Sequence, residues 1–453
     1  MTRCVITALC FICSTMVVYA QGTQTIRNRS MLMEYGERFY ADAYVVPNDT
    51  DDSATVVVFF RIANDMMSFV RVRDISEVRG NYGAEMAVNI ELRDTVGVIR
   101  QRTKWSDTAF TNTFEETNSK EAYHVGWASF TIGQGTYVLS LEVLSQKESS
   151  QKRLKLPPVS YMPRKATRLL APAAFGAPES IGGVDVLRLF VFNSNLPFGP
   201  DKAQALLLVA DSTETRYTYR IRQLPWDSRE IRWWRVSDIE GRVQSQRDRF
   251  PRISSASSNE AAFLEMSNRA APRRPIASVE IPIPMATLVP GRYQIDLVKA
   301  GTRDTIAVKF QIVWEMMPLS LRTLDYAIES IRYVCSEETL DSITDGDAAQ
   351  NRQALMEWWR RQDPTATTVY NERMAEYYRR IDNAYFAFGT INEPDGSRTE
   401  RGKVYVLYGQ PSSIVKDLKA SSPREIWKYT NVPKQTFTFE VNDRGVFKLV
   451  DVK

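Results

Sequence analysis

Acid–base or nucleophilic chemistry needs side chains that ionise near neutrality, and this chain has few. It has a single histidine, His124, and four cysteines, of which Cys4, Cys10 and Cys13 crowd the N-terminus and only Cys335 lies beyond it. Zinc sites built from several His and Cys ligands are therefore excluded, and His124 is the one imidazole a serine or cysteine triad could use. It sits in the alternating run Tyr123-His124-Val125-Gly126-Trp127, which predicts a satisfied or exposed strand histidine. Cys335 follows Ile331 and Val334 on a helical stripe and reads as core. Hard cations would look to Asn48-Asp49-Thr50-Asp51-Asp52, but that run lacks the Gly and distal Glu of an EF-hand loop, and Asp341 to Asp347 is incomplete in the same way. Both read as solvated turns. With 54 acidic side chains, some pair always stands at a spacing suited to glycoside hydrolysis, so spacing alone carries no information. No GxSxG elbow, Walker loop or dinucleotide fingerprint stands between a strand and a helix, and no cofactor is expected. The other chemistry on offer is aromatic. Tyr370, Tyr377, Tyr378 and Tyr385 follow helical spacing and read as core, whereas the adjacent pairs Trp233-Trp234 and Trp358-Trp359 cannot both face one way. One of them is expected at a domain interface, and exposed aromatics of this kind suit a glycan- or protein-binding platform.

The elements that would carry these residues are β-rich first and mixed later. From about Phe39 to Leu156 the period is two: Met86, Val88, Ile90 and Leu92 alternate with Ala87, Asn89 and Glu91. Val56 to Phe60 and Tyr137 to Val143 add further strands, at spacings that fit an antiparallel sandwich, and Leu154 to Pro158 reads as a strand end running into a linker. A second β-rich region spans Val184 to Val313, with strands at Leu187 to Phe192, Ala205 to Val209, Tyr217 to Ile221, Ala277 to Ile283 and Ile306 to Val313. Gly135 to Leu141 is echoed by Gly291 to Leu297, each a glycine turn entering a late strand with an inward Tyr. Ser254 to Pro275 reads as a long surface loop or short helix. After Pro318, Leu321, Leu324, Ile328, Ile331 and Val334 mark a helix; a second is expected over Asp347 to Arg361 and a third over Val369 to Phe388, ending at Gly389. Strands are expected at Val404 to Tyr408, Glu425 to Tyr429, Gln435 to Val441 and Val446 to Val452, the last two joined through Asn442 to Gly445. The expected architecture is two antiparallel β-sandwich (Ig-like) domains, residues 21–160 and 161–315, followed by an α+β domain over 316–453.

Compartment follows from the N-terminus. Met1-Thr2-Arg3, an uncharged apolar run from Cys4 to Val18, and Val18-Tyr19-Ala20 before Gln21 predict a secretory signal peptide over residues 1–20. The run is too short to span a bilayer, and no span is expected after cleavage. Cleavage would leave Cys335 as the only cysteine, so no intramolecular disulfide is expected and each domain must hold together by burial. It would also remove one of the 58 basic residues and no acid, taking the net charge from +4 to +3. The arginines from Arg229 to Arg252 alternate with Glu230, Asp238, Glu240 and Asp248, so nucleic acid is not an expected partner.

One stretch resembles a known family. Trp359-Arg360-Arg361-Gln362-Asp363-Pro364-Thr365, then Tyr377-Tyr378-Arg379-Arg380-Ile381, then Gly396-Ser397-Arg398-Thr399-Glu400-Arg401-Gly402-Lys403-Val404-Tyr405-Val406-Leu407-Tyr408-Gly409-Gln410-Pro411 is similar to the GWxTD domain of exported bacterial proteins. The likeness covers roughly the last 110 to 130 residues, and Ser397 and Glu400 stand where the name motif has Trp and Asp. It implies an exported protein, periplasmic or extracellular and outer-membrane-associated, and assigns no reaction. The motif positions Trp359, Asp363, Pro364, Tyr378, Arg380, Gly396, Thr399, Arg401, Gly402, Tyr408, Gly409 and Pro411 form the candidate site, as scaffold or as ligand contacts. Here Gly396 and Gly402 suit turns entering a strand, and Arg401 and Arg380 could reach Glu400, Asp363 or Asp382. The expected function is a non-catalytic interaction module whose partners are other envelope proteins. A carboxylate-dependent hydrolase or binding protein for envelope polysaccharide and a calcium-dependent adhesion module are the alternatives.

Overall fold

The computed structural model describes residues 38–48, 52–72, 80–144, 152–162, 173–199, 202–225, 233–267, 275–417, 423–430, 434–442 and 444–453. The predicted signal peptide, Asp49 to Asp51 and Arg229 to Arg232 lie outside them. The chain divides into two compact units, one over Gly36–Glu315 and the other holding Met316–Lys453.

The first unit is built of sheets whose pairings are antiparallel except that Leu196–Pro197 runs parallel to Thr305–Val313. A three-stranded sheet of Phe39–Pro47, Ala54–Ala63 and Tyr123–Ile132 has Ala54–Ala63 in the middle. Val56, Val58, Phe60 and Ile62 from its centre enter one core with Val88, Ile90, Leu92, Leu139 and Leu141 of the facing sheet. Those partners come from Tyr82–Asp94, whose inward and outward residues alternate as the period of two predicts, and from Gly135–Leu144 beside it. Val57 and Phe59, with Tyr44 and Val125, enter a second core with Ala174, Leu187, Leu206 and Leu264. A strand buried on both faces needs an uninterrupted apolar run, which is what Val56 to Phe60 supplies.

Those last partners belong to a six-stranded sheet ordered Phe250–Ile253, Phe263–Ser267, Val184–Leu189, Ala174–Ile181, Ala203–Val209 and Ala277–Ile283. Phe263–Ser267 corrects the expectation of a surface loop or helix over Ser254 to Pro275: its Leu264 and Met266 are buried, and it pairs with strands on both sides. The Ser- and Asn-rich flanks conceal a strand too short to show a period. A five-stranded sheet, including Gly291–Lys299 and Thr305–Val313, completes this unit, and Phe175 meets Phe310 across the two sheets at 5.3 Å.

The echoed heptads share one local geometry. Gly135 and Gly291, both at positive φ, open strands in which the tyrosine two residues on donates its hydroxyl four residues back, Tyr137 to the Gly133 carbonyl (3.3 Å) and Tyr293 to that of Val289 (2.8 Å). Tyr293 is buried; Tyr137 is only partly so. Past the first echo, Arg153–Lys155 and Val159–Tyr161 both pair with Gly135–Leu144, so Pro157-Pro158 joins two short strands of one sheet.

The second unit is α+β. The single helix expected from Leu321 to Val334 is broken into Leu319–Arg322, Leu324–Ser330 and a 3-10 turn at Ile331–Tyr333, because Thr323 is extended. Helix Ala348–Arg360 is as expected and is capped by Asp347, whose carboxylate accepts the amides of Ala349 and Gln350. That cap gives one residue of the Asp341 to Asp347 run a structural role. Helix Glu372–Phe388 begins later than Val369 because Asn371 caps it. The strand expected at Val404 to Tyr408 is helix Glu400–Tyr408, and the sheet instead contains the unforeseen strand Ser413–Asp417 at one edge, followed by Arg424–Tyr429, Gln435–Val441 and Phe447–Val452 in a meander. No described helix is long and apolar enough to cross a membrane.

Candidate functional site

The motif residues converge where the end of helix Glu372–Phe388 meets the start of helix Glu400–Tyr408. Asp395 opens the 3-10 turn Gly396–Arg398: its carboxylate accepts the Ser397 amide (3.0 Å) and hydroxyl (2.6 Å), the Tyr326 hydroxyl (3.0 Å) and the Arg398 guanidinium (3.0 Å). Ser397 is thus buried in a polar knot, and its carbonyl accepts the Tyr333 hydroxyl. Thr399 then caps the helix, accepting the Gly402 amide (3.0 Å) while its hydroxyl donates to the Gly396 carbonyl (2.8 Å). The two glycines interlock. A Cβ on Gly402 would lie 1.9 Å from the Gly396 carbonyl oxygen, and one on Gly396 would lie 2.2 Å from that of Ala384. Their role is close backbone approach in a helix start, not a turn into a strand.

Charged motif residues tie this start to the sheet. Glu400 accepts the Leu449 amide and pairs with Lys448. Arg401, almost buried, lies over the Phe447 ring at 3.4 Å and pairs with Glu425 at 3.2 Å, and the same Glu425 oxygen accepts the Trp427 indole N–H. So Arg401 finds Glu425, not the neighbouring acids suggested by sequence. Arg380 pairs with Glu376 and donates weakly to the Val406 and Leu407 carbonyls, at the end of the helix that Gly409 closes with φ +78°. The Gly409 carbonyl accepts the Tyr429 hydroxyl at 2.9 Å, and Tyr408 packs against Tyr429 and Phe437. Pro411 leads into the edge strand Ser413–Asp417.

The remaining motif members form a second knot. Trp359 is buried against Tyr377 and Tyr378, with its indole N–H donating to the Tyr378 hydroxyl (3.3 Å), which in turn donates to the Ala327 carbonyl (2.9 Å). Burial pushes the Tyr378 phenol well above its ordinary range, so it stays a neutral donor. Asp363 turns the chain by accepting the Thr365 amide, and Pro364 is exposed beside it. Asp382 accepts the amides of Leu319 and Ser320, and burial raises its pKa against those bonds. Trp358 lies partly exposed against Trp359.

Sequence reasoning missed Tyr326, Asp395, Glu425 and Phe447. Asp395 was legible as a capping residue directly before Gly396; Glu425 carries no local signal. It also missed a cluster in the first unit, where Arg61 lies 4.1 Å over Tyr123, 4.6 Å over Tyr40 and 4.8 Å over Phe192, and pairs with Glu315 at 2.9 Å. That cage is filled by its own cation. Beside it, buried Asp42 accepts the amides of Phe192 and Ser194, holding Val191, Asn193 and Ser194 in the left-handed region. His124 is buried and bonds Asp107 at 3.0 Å from its strand. Trp233 packs on Phe198 and Trp314, with Trp234 exposed. Cys335 is partly buried, and burial raises its thiol pKa. Among the described residues no group of three or more His, Cys, Asp or Glu is arranged to hold a metal ion.

Residues 294–449 match the family model of the GWxTD domain. The match begins within strand Gly291–Lys299, well before the stretch on which the sequence likeness rests. None of the curated proteins compared with the chain matches it.

Proposed function

We propose that this chain, with a GWxTD domain over residues 294–449, is an exported, non-catalytic component of the bacterial envelope that holds partner proteins. The observation that carries this reading is the use made of the motif: Thr399, Glu400, Arg401, Arg380 and Trp359 all bond neighbours within their own unit. The chemistry left for a partner is backbone. Strand Ser413–Asp417 is exposed along its whole length, pairs among the described residues only with Arg424–Tyr429, and offers Ile414 and Val415 at 48% and 47% exposure. An open edge of this kind accepts an extended segment of another protein, with main-chain bonds giving affinity. The N-terminal apolar run supports export. The paired tyrosine-to-carbonyl bonds at Tyr137 and Tyr293 support an Ig-like reading of the two β-rich regions, in which such corners recur.

The Val441 amide bonds the Pro423 carbonyl, so by alternation the even-numbered residues of Arg424–Tyr429 face the edge strand; Val415, opposite Ile426, bonds inward and the Ile414 amide points away from the sheet. Ile414→Pro removes that outward donor and leaves the inward ladder whole. Crosslinking in the native envelope followed by affinity capture is expected to recover a discrete partner with the parent chain and to lose it with Ile414→Pro. Capture that survives this substitution, or turnover in a broad hydrolase screen without any partner, contradicts the reading.

A further inference from the structure

A groove of about 450 Å³ opens in the first unit between two hairpin tips, within the ~300–1,000 Å³ of small-molecule clefts. One wall is the tip joining Tyr82–Asp94 to Ile99–Thr111; the other is the turn joining Tyr123–Ile132 to Gly135–Leu144. Both are held rigid. The Asp94 carboxylate accepts the amides of Val96 (3.1 Å) and Val98 (2.9 Å) and pairs with Arg100 at 2.8 Å. Gln101 bridges the walls, its amide donating to the Thr131 carbonyl at 2.6 Å. Tyr137 lies across Gly135, where a Cβ would sit 3.3 Å from its ring.

The lining sets the ligand class. Among the described residues that line it, the only ionised side chains, Asp94 and Arg100, neutralise each other, so the lining favours neither an anion nor a cation. Its remaining surface is mostly amide, hydroxyl and exposed backbone, which disfavours an apolar ligand. A tyrosine ring and the Val96 side chain provide a limited apolar face beside them. An uncharged molecule with hydroxyls around its edge and C–H bonds on one face matches this combination, since planar amides bond the hydroxyls and the ring meets the C–H face. We propose that this groove is a binding subsite for a neutral saccharide, with Gln101, Gln134 and Tyr137 as its principal contacts. The subsite is separate from the edge strand and does not depend on the partner-binding reading.

The test uses the full secreted chain on an array of neutral and acidic oligosaccharides, followed by titration calorimetry with the best neutral ligand. Selective retention by neutral glycans is expected, with at least a fivefold loss of affinity in each of Gln134→Ala and Gln101→Ala. Gln134 is exposed on its turn, so Gln134→Ala is expected to leave the melting temperature unchanged, and loss of binding in it is not a folding defect. Ile414→Pro is expected to bind glycan like the parent, which separates this site from the other. No retention of any neutral glycan, preference for acidic ones, or unchanged affinity in both glutamine variants overturns the proposal.

Discussion

A substitution of one residue has local consequences that can be reasoned from its neighbours, and His124 is the clearest case. It is the single histidine, buried in a strand, and burial holds its pKa below the ordinary 6.5 even though Asp107 pulls the other way. The folded chain therefore keeps this imidazole neutral to lower pH than the unfolded chain does. Below about pH 6.5 the unfolded state binds the extra proton, so this contribution to stability is present above that pH and is lost as pH falls through it toward the folded pKa. Urea midpoints measured between pH 7.5 and 5.5 are expected to fall for the parent and to fall less for His124→Gln; equal slopes would show that His124 does not govern the effect. The alternation Tyr123 to Trp127 made His124 readable as a strand residue. Its partner was not readable, because Asp107 lies on another strand and nothing near His124 announces it. The same holds for Arg401, whose visible acidic neighbours are not the one it meets.

Among elements, the motif helix shows where local pattern fails. Val404-Tyr405-Val406-Leu407-Tyr408 has the composition of a strand, yet it forms the last five residues of helix Glu400–Tyr408. Packing decides: Val404 and Val406 are buried, while Tyr405 and Tyr408 stack on Phe388 and Phe437. The ends were the better guide, since Thr399 before an acidic first turn and Gly409 after the last residue are start and stop signals for a helix. By contrast, Ala348–Arg360 was legible because its cap and its apolar spacing agree. If the Thr399 hydroxyl sets the start, Thr399→Ala should cost the helix about 1–2 kcal/mol and Thr399→Ser much less. Hydrogen exchange of the full chain reads this directly: amides from Lys403 to Leu407 are expected to exchange faster in Thr399→Ala and close to the parent rate in Thr399→Ser. Equal protection in all three chains would mean that the Gly396–Gly402 contact alone fixes the helix.

For the molecule as a whole, the three-stranded sheet at the heart of Gly36–Glu315 determines how that unit must unfold. Its middle strand sends Phe60 into the core shared with Val88 and Leu139, and Phe59 into the core shared with Leu187 and Leu264. Both rings are fully buried. Strand-by-strand reading located both β-rich regions, but it could not show that one sheet serves two cores, because continuous apolar character in Val56 to Phe60 is equally the mark of any buried strand. A sheet flanked by two cores cannot lose one without exposing its other face, so the cores should melt together. Phe59→Ala and Phe60→Ala are each expected to cost about 3–5 kcal/mol. More tellingly, both should shift the same calorimetric transition. Trp105, packed against Phe60 at 4.9 Å, reports on one core, and exchange at the amides of Leu187 and Leu189 on the other. If Phe60→Ala loosened the tryptophan while leaving those amides protected, the cores would be independent and the shared sheet would be merely a contact between two separately stable modules.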